Sequence, residues 1–236
     1  MIYPEGPERA IYVREMFGNI SNRYDLMNRL MTFGRDRSWR RYVVHMVRLQ
    51  PGNLLLDVGT GTGDIALEAK RVEPSSVVIG VDFSFRMMQA GRRRSGSRMM
   101  VFCSADAFQL PFPDGIFDAV TSGYLVRNVS DVRQVFEEQI RVVKPGGHVV
   151  CLDTSPRPNK ITWPFILFHL KVIIPFLGYL FTNNKSAYKY LRESTRAFMK
   201  PDELALVMNN VGLQNVSYRR LMFGTQVVHS GMRPKV

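Results

Sequence analysis

Two periods of apolar spacing divide this chain. Over residues 8–48 apolar positions recur near every 3.6 residues, with Gly18 and Gly34 as the main breakers. That spacing predicts two or more helices ahead of the first strand. Short apolar runs then take over at 54–58, 77–81, 99–103, 117–121 and 147–152, each read as a strand. Helical patterns lie between them at about 64–72, 84–93 and 131–143, and Pro145-Gly-Gly147 reads as a turn ending the last of these. Regular alternation of strand and helix implies a parallel sheet covered on both faces. Right-handed crossovers would set the carboxyl ends of the strands along one edge, and with them Asp57, Asp82 and Asp106.

Beyond Asp153 the pattern changes. Residues 163–181 are strongly apolar and about the ~20 residues that cross a bilayer. His169 and Lys171 inside the segment, and Pro164, Pro175 and Gly178, argue against a span. The segment reads instead as helices over the active-site edge, either plain core or an apolar lid. A helix near 201–211 and strands near 214–220 and 223–230 close the chain. The expected architecture is one α/β domain over 1–236. It has a mostly parallel seven-stranded sheet with helices on both faces, a helical cover at about 8–48 and a lid at about 156–200.

The chemistry concentrates at the first two strand ends. Leu54-Leu-Leu-Asp-Val-Gly-Thr-Gly-Thr-Gly-Asp64 carries glycines at 59, 61 and 63, and Asp82 ends the next strand nineteen residues after Gly63. Glycines let backbone approach a ligand closely, and an acid at the next strand end is placed to accept from ribose. The pair predicts a nucleoside cofactor and therefore an enzyme; a tight turn with no ligand is the alternative. The alternating G-T-G-T-G differs from the dinucleotide fingerprint G-x-G-x-x-G. It resembles the first motif of class I S-adenosylmethionine methyltransferases, whose loop passes beside the methionine part of the cofactor. Asp106, with Ala107, ends the third strand where a carboxylate could accept the adenine amino hydrogen; a turn-capping role is its plain reading.

Charge adds one thing. Lys and Arg total 32 against 20 acidic residues, a net charge of +12, which favours anionic surfaces such as nucleic acid or a membrane face. Clusters stand at Arg35-Asp-Arg-Ser-Trp-Arg-Arg41 and Arg92-Arg-Arg94. The opening residues read as no signal peptide. Cys103 and Cys151 fall in predicted strands and read as core residues of a reducing compartment. No metal-ligand spacing appears, and no metal is expected.

Four further segments make a resemblance specific: Glu15-Met-Phe-Gly-Asn-Ile-Ser-Asn-Arg-Tyr-Asp-Leu-Met-Asn28, Gly123-Tyr-Leu-Val-Arg-Asn-Val129, Val142-Val-Lys-Pro-Gly-Gly147 and Tyr188-Lys-Tyr-Leu-Arg-Glu-Ser194. With the glycine loop, from about residue 12 to 231, the chain resembles the UbiE/MenG family of quinone-biosynthesis C-methyltransferases. Where that family has Gly-Leu-Arg-Asn-Val, Leu125 and Val126 replace Gly and Leu. The resemblance implies a class I methyltransferase fold, related to the Rossmann fold, and S-adenosylmethionine as cofactor. It implies methylation of a ring carbon of a polyprenylated quinol, demethylmenaquinol or a ubiquinone-precursor benzoquinol. Cofactor contacts are expected at Asp57, Gly59, Thr60, Gly61, Thr62, Asp82, Phe83, Met87, Asp106, Ala107 and Gly123. Substrate contacts are expected at Tyr24, Asn28, Tyr124, Asn128 and His229, and catalytic roles at Arg127, Asp153 and Tyr190.

A quinol carbon becomes nucleophilic when its neighbouring phenol loses a proton, and a phenol of pKa near ~10 needs a base or a stabilising cation. Arg127 is the first candidate to hold phenolate; a structural pairing with a carboxylate is its plain reading. Asp25 reads as a cap or ion-pair partner, and His148 and His169 as structural residues. The expected partners are the quinol and an anionic membrane surface, with no nucleic acid, and a homodimer or quinone-biosynthesis complex is a further expectation. The expected location is cytoplasmic, peripheral to the membrane. A methyltransferase of RNA or of another small molecule, and a non-enzymatic cofactor-binding partner, stay open on sequence alone.

Overall fold

The computed structural model describes residues 6–156 and 185–235. Helices α1 (Gly6–Thr32) and α2 (Asp36–Val47) precede the sheet, as their 3.6 spacing predicts. Then come β1 (Leu54–Val58), α3 (Asp64–Val72), β2 (Val77–Asp82), α4 (Phe85–Arg92), β3 (Val101–Ser104), β4 (Phe117–Gly123), α5 (Val132–Val142) and β5 (Val143–Thr154). After the break α6 (Lys185–Ala197), α7 (Pro201–Asn210), β6 (Gln214–Leu221) and β7 (Gln226–Met232) complete the chain. Most of the segment expected as a lid, with His169, lies outside the described residues.

The seven strands form one sheet in the order β3-β2-β1-β4-β5-β7-β6. The first five run parallel, and β7 inserts antiparallel between β5 and β6. Sequential strands spread outward from β1 in one direction and from β4 in the other. The strand order therefore reverses between β1 and β4, the point where open α/β sheets bind ligands.

Alternation along the strands sorts side chains onto two cores. Leu55, Val78, Ala119, Val150 and Leu152 pack with Trp39, Val43 and Val44 of α2 and Ile65 and Ala66 of α3. Leu56, Val81, Val120, Val149 and Cys151 face the other way, onto Phe136 of α5 and Leu204 and Met208 of α7. Leu55, Leu56, Val120 and Val149 are fully buried, each contributing on the order of 1.5–3 kcal/mol. Helix α1 stands apart, packing Val13, Met16 and Ile20 on Tyr190 of α6 and bonding to α4 through Arg86 and Asn19 at 3.0 Å.

Two local departures from the sequence reading have tertiary causes. Pro145-Gly-Gly147 is an irregular stretch inside β5 rather than a turn before it: Val143 already pairs with Phe117, and the register shifts between Phe117 and Ala119. Arg233 makes this possible, since Gly146 donates to its carbonyl and its own amide donates to Gly147. Cys103 lies on the edge strand and is only half-buried, whereas Cys151 is core.

Candidate active site

The strand-end acids converge on one cleft at the switch point, holding about 1280 Å³ of empty space including the part open to solvent. Its floor is the turn from β1 into α3. Gly59, Gly61 and Gly63 all have φ between 57° and 85°, a region that L side chains rarely adopt. Asp57 braces this turn from beneath, accepting from Thr60 Oγ1 at 2.7 Å and Thr121 Oγ1 at 2.8 Å. It is 1% exposed, and burial raises its carboxyl to about 6 against the two hydroxyl bonds that favour the anion.

Asp82 ties the loop to the next strand. Its Oδ2 accepts from the Gly61 amide and its Oδ1 from the Ser84 amide, both at 2.8 Å. A carboxylate has about four acceptor positions, so Asp82 keeps capacity for a ligand hydroxyl. Burial raises its pKa, with the amide bonds opposing. Asp106 caps its own turn by accepting from the Phe108 amide at 3.0 Å and also lines the cleft with Ala107. The turn-capping reading is the one its hydrogen bond shows.

All the residues expected to touch the cofactor line this cleft: Asp57, Gly59, Thr60, Gly61, Thr62, Asp82, Phe83, Met87, Asp106, Ala107 and Gly123. A methyl at Gly61 would stand 3.2 Å from Met87 Cε, and one at Gly123 2.7 Å from Ile65 Cδ1. The bare backbone is thus part of the cavity's shape.

Of the residues expected at the substrate, Tyr24, Tyr124 and Asn128 line the cleft. Burial pushes both phenols above their ordinary range, so they face the cavity as neutral hydroxyls. Asn128 is pinned by donating to the Tyr124 carbonyl at 2.7 Å and accepting from the Tyr190 hydroxyl at 3.1 Å. Asn28 stands outside the cleft wall, its amide nitrogen buried without a hydrogen-bond partner among the described residues. His229 lies on β7, 2% exposed, with Nε2 2.9 Å from the Pro201 carbonyl oxygen. It is outside the cleft wall.

The three residues assigned catalytic roles sit behind that wall. The Arg127 guanidinium donates to Asp153 Oδ1 at 2.7 Å, and the Arg127 amide to Oδ2 at 3.2 Å. Both side chains are almost wholly buried. The guanidinium lies 4.9 Å from the centre of the Tyr124 ring, whose own side chain faces the cleft. Tyr190 packs in the small core between α1 and α6.

Sequence reasoning missed the wall supplied by α1, where Arg9, Ala10, Val13, Arg14 and Phe17 line the cleft, and the contributions of Arg40 and Asp64. The spacing of residues 10, 13, 14 and 17 along one helical face was the available signal. An ionic network fixes this wall. Asp25 accepts from Thr62 Oγ1 at 2.6 Å and pairs with Arg94 at 3.2 Å. Arg94 also pairs with Asp64 at 2.7 Å, and Arg40 with Asp64 at 2.5 Å and with Asp36. Burial, and then the charge of Asp64, raise the Asp25 pKa.

Known proteins match this chain in sequence and in fold. The model of the ubiE/COQ5 methyltransferase family matches residues 7–233. A protein named ubiquinone/menaquinone biosynthesis C-methyltransferase UbiE, from Desulfotalea psychrophila, is 42% identical over 221 residues, covering 94% of this chain and 90% of that protein. A demethylmenaquinone methyltransferase of Thermus thermophilus is 41% identical over 221 residues, covering 93% and 100%. Among solved structures, a SAM-dependent methyltransferase from Thermotoga maritima superposes with a TM-score of 0.66 at 20% identity, covering 93% of this chain and 98% of that one; the two share a fold. With nearly the whole chain matched by the family model and by close relatives, this protein belongs to the ubiE/COQ5 methyltransferase family.

Proposed function

We propose that this chain, an S-adenosylmethionine-dependent C-methyltransferase of quinone biosynthesis, transfers the methyl group within the cleft at the β1–β4 switch point. The observation that carries the reading is the convergence, in that one cleft, of the glycine loop, Asp82, Asp106 and an aromatic wall of Phe17, Tyr24 and Tyr124. The residues fit a nucleoside cofactor: left-handed glycines leave space that a Cβ would fill, and two carboxylates stand at successive strand ends with acceptor capacity to spare. When bound, S-adenosylmethionine supplies a methyl group already activated by the sulfonium. Asp82 is placed for the ribose hydroxyls, Asp106 and the Ala107 amide for the adenine edge.

The chain's remaining task is alignment and a nucleophilic carbon. Holding two reactants in line can lower a barrier by about 7–11 kcal/mol at best. The quinol ring lies against Phe17, Tyr24 and Tyr124, whose neutral phenols can donate to its oxygens. Arg127 adds a buried positive charge just behind Tyr124, which lowers the cost of anionic forms at both tyrosines. The same field favours a substrate phenolate at that wall, and Asp153 keeps the guanidinium in place.

An anionic membrane surface is the proposed place of work. The net charge of +12 supports it. So does Phe33, 70% exposed in the turn that starts the Arg40 helix and flanked by Arg29, Arg35 and Arg37. Among the described residues no helix is long and apolar enough to cross a membrane.

Mass spectrometry of the quinone pool, after deleting the gene and restoring it, tests the reading. A quinone lighter by one methyl group that disappears on complementation is the expected result and identifies the ring. An unchanged pool in a host with no second such enzyme would overturn the quinol assignment.

A further inference from the structure

Tyr124 holds an unusual backbone. It follows Gly123 at the end of β4 with φ at 58°, a region that bulky side chains rarely enter and that persists only where the surroundings enforce it. Among the described residues, Phe33, Arg48, Asn215, Met222 and Phe223 are the other non-glycine residues with positive φ. Tyr124 alone of these lines the cleft. Its neighbours must therefore hold the strained residue, and with it the ring at the cleft wall.

Both backbone groups of Tyr124 are tied. Its amide donates to the Leu152 carbonyl at 2.7 Å, and its carbonyl accepts from Asn128 Nδ2 at 2.7 Å. Asn128 ends the short turn Val126–Asn128, its own amide donating to the Leu125 carbonyl at 2.9 Å. The other end of its side chain, Oδ1, accepts from the Tyr190 hydroxyl at 3.1 Å. Asn128 is 8% exposed and Tyr190 2%, so these bonds lie where water offers little replacement. Tyr190 stands on α6 and takes its place from α1: its ring is 5.7 Å from that of Tyr12 and packs with Val13, Met16 and Ile20.

A primary amide has a donor end and an acceptor end. With Nδ2 spent on the Tyr124 carbonyl, Oδ1 needs a donor, and the Tyr190 hydroxyl supplies it. Without that hydroxyl a buried acceptor loses its donor, and an amide that turns to recover one leaves the Tyr124 carbonyl. The strained residue would then relax and its phenol would leave its place on the wall. A tyrosine that served only the small core between α1 and α6 would need its ring and not its hydroxyl.

We propose that Tyr190 is a positioning residue for methyl transfer: acting through Asn128, it keeps Tyr124 in its left-handed conformation and so fixes where the Tyr124 phenol meets the quinol. Tyr190 has this role only if the quinol lies against the Tyr124 wall. It does not itself line the cleft, so its hydroxyl governs the transfer step and not the binding of the cofactor.

Single-turnover methyl transfer to a short-tailed demethylmenaquinol and to a short-tailed benzoquinol, with S-adenosylmethionine affinity by calorimetry, provides the test in wild type, Tyr190→Phe, Tyr124→Phe and the double variant. Tyr190→Phe is expected to lose on the order of 10-fold in rate, within the roughly 100-fold that a misplacement of about 1 Å can cost, with cofactor affinity unchanged. Once the Tyr124 hydroxyl is gone its placement no longer matters, so the double variant should be no slower than Tyr124→Phe. Substituting 4-aminophenylalanine for Tyr190 restores a donor and should recover most of the rate. A Tyr190→Phe with the wild-type rate, losses that multiply in the double variant, or no recovery with the amine overturns the proposal. A Tyr190→Phe that does not fold, or that loses cofactor affinity and rate together, assigns the hydroxyl to the fold and does the same. A wild type that methylates neither quinol overturns the quinol reading, and this proposal with it.

Discussion

Asp57 shows how one carboxyl can serve a site it scarcely exposes. Burial raises its pKa in the folded protein to about 6, above the ordinary carboxylate value of 3.8. Its contribution to stability is thus fully present below about 3.8 and is lost as pH rises through about 6. Thermal melts of the ligand-free protein from pH 4.5 to 7.5 check this: Asp57→Asn should gain on wild type as pH rises across about 6. A constant offset would show that the buried carboxyl does not titrate there. His229 pulls the other way. Burial lowers its pKa, so the protein loses stability as pH falls below the unfolded value near ~6.5. The Arg127–Asp153 pair makes a second prediction. Arg127→Met alone strands a buried carboxylate and should cost about 3–5 kcal/mol in denaturant unfolding. Arg127→Met with Asp153→Leu should recover most of that stability, yet leave single-turnover methyl transfer slow if the positive charge behind Tyr124 favours phenolate. A double variant with the normal rate would remove Arg127 from the chemistry.

Elements differ in how plainly the sequence announces them. Strand β1 and helix α3 fall at the predicted residues because apolar run, glycine loop and helical face follow one another locally. The strand β5 begins earlier than periodicity suggests because Arg233, some ninety residues away, holds Pro145-Gly-Gly147 in the sheet and donates from Nη1 to the carbonyls of Ile140, Arg141 and Val143. Helix α4 illustrates the same limit. A glycine inside a helix ordinarily costs stability, but the bare Cα of Gly91 lets α4 close on the glycine loop: a Cβ there would meet the Thr62 carbonyl oxygen at 2.8 Å. Gly91→Ala should therefore destabilise by about 1–3 kcal/mol, despite a helix-propensity gain of about 1 kcal/mol, and should weaken cofactor binding by displacing Thr62. Denaturant unfolding with calorimetry checks both, and a variant more stable than wild type would show that the loop yields freely.

At the scale of the whole molecule, the sheet, its two cores and the strand-end acids were legible, since each follows from local period and position. The α1 wall and its ionic network were not, because Asp25 meets Thr62 and Arg94 across long stretches of chain and no local pattern encodes such pairs. The basic excess yields a prediction of its own. The protein should sediment with vesicles rich in phosphatidylglycerol, not with phosphatidylcholine alone, and should be released at about 0.5 M salt, where the Debye length shrinks to a few ångströms. Binding to both vesicle types regardless of salt would point to apolar insertion instead. One consequence follows from the cleft being built between two bodies, the sheet edge and a helix docked on it. A ligand that touches both is a thermodynamic glue, and it lowers the population of states in which they part. Backbone amides of α1 should then exchange hydrogen more slowly in proportion to cleft occupancy, while those of the sheet, already limited by global opening, change far less.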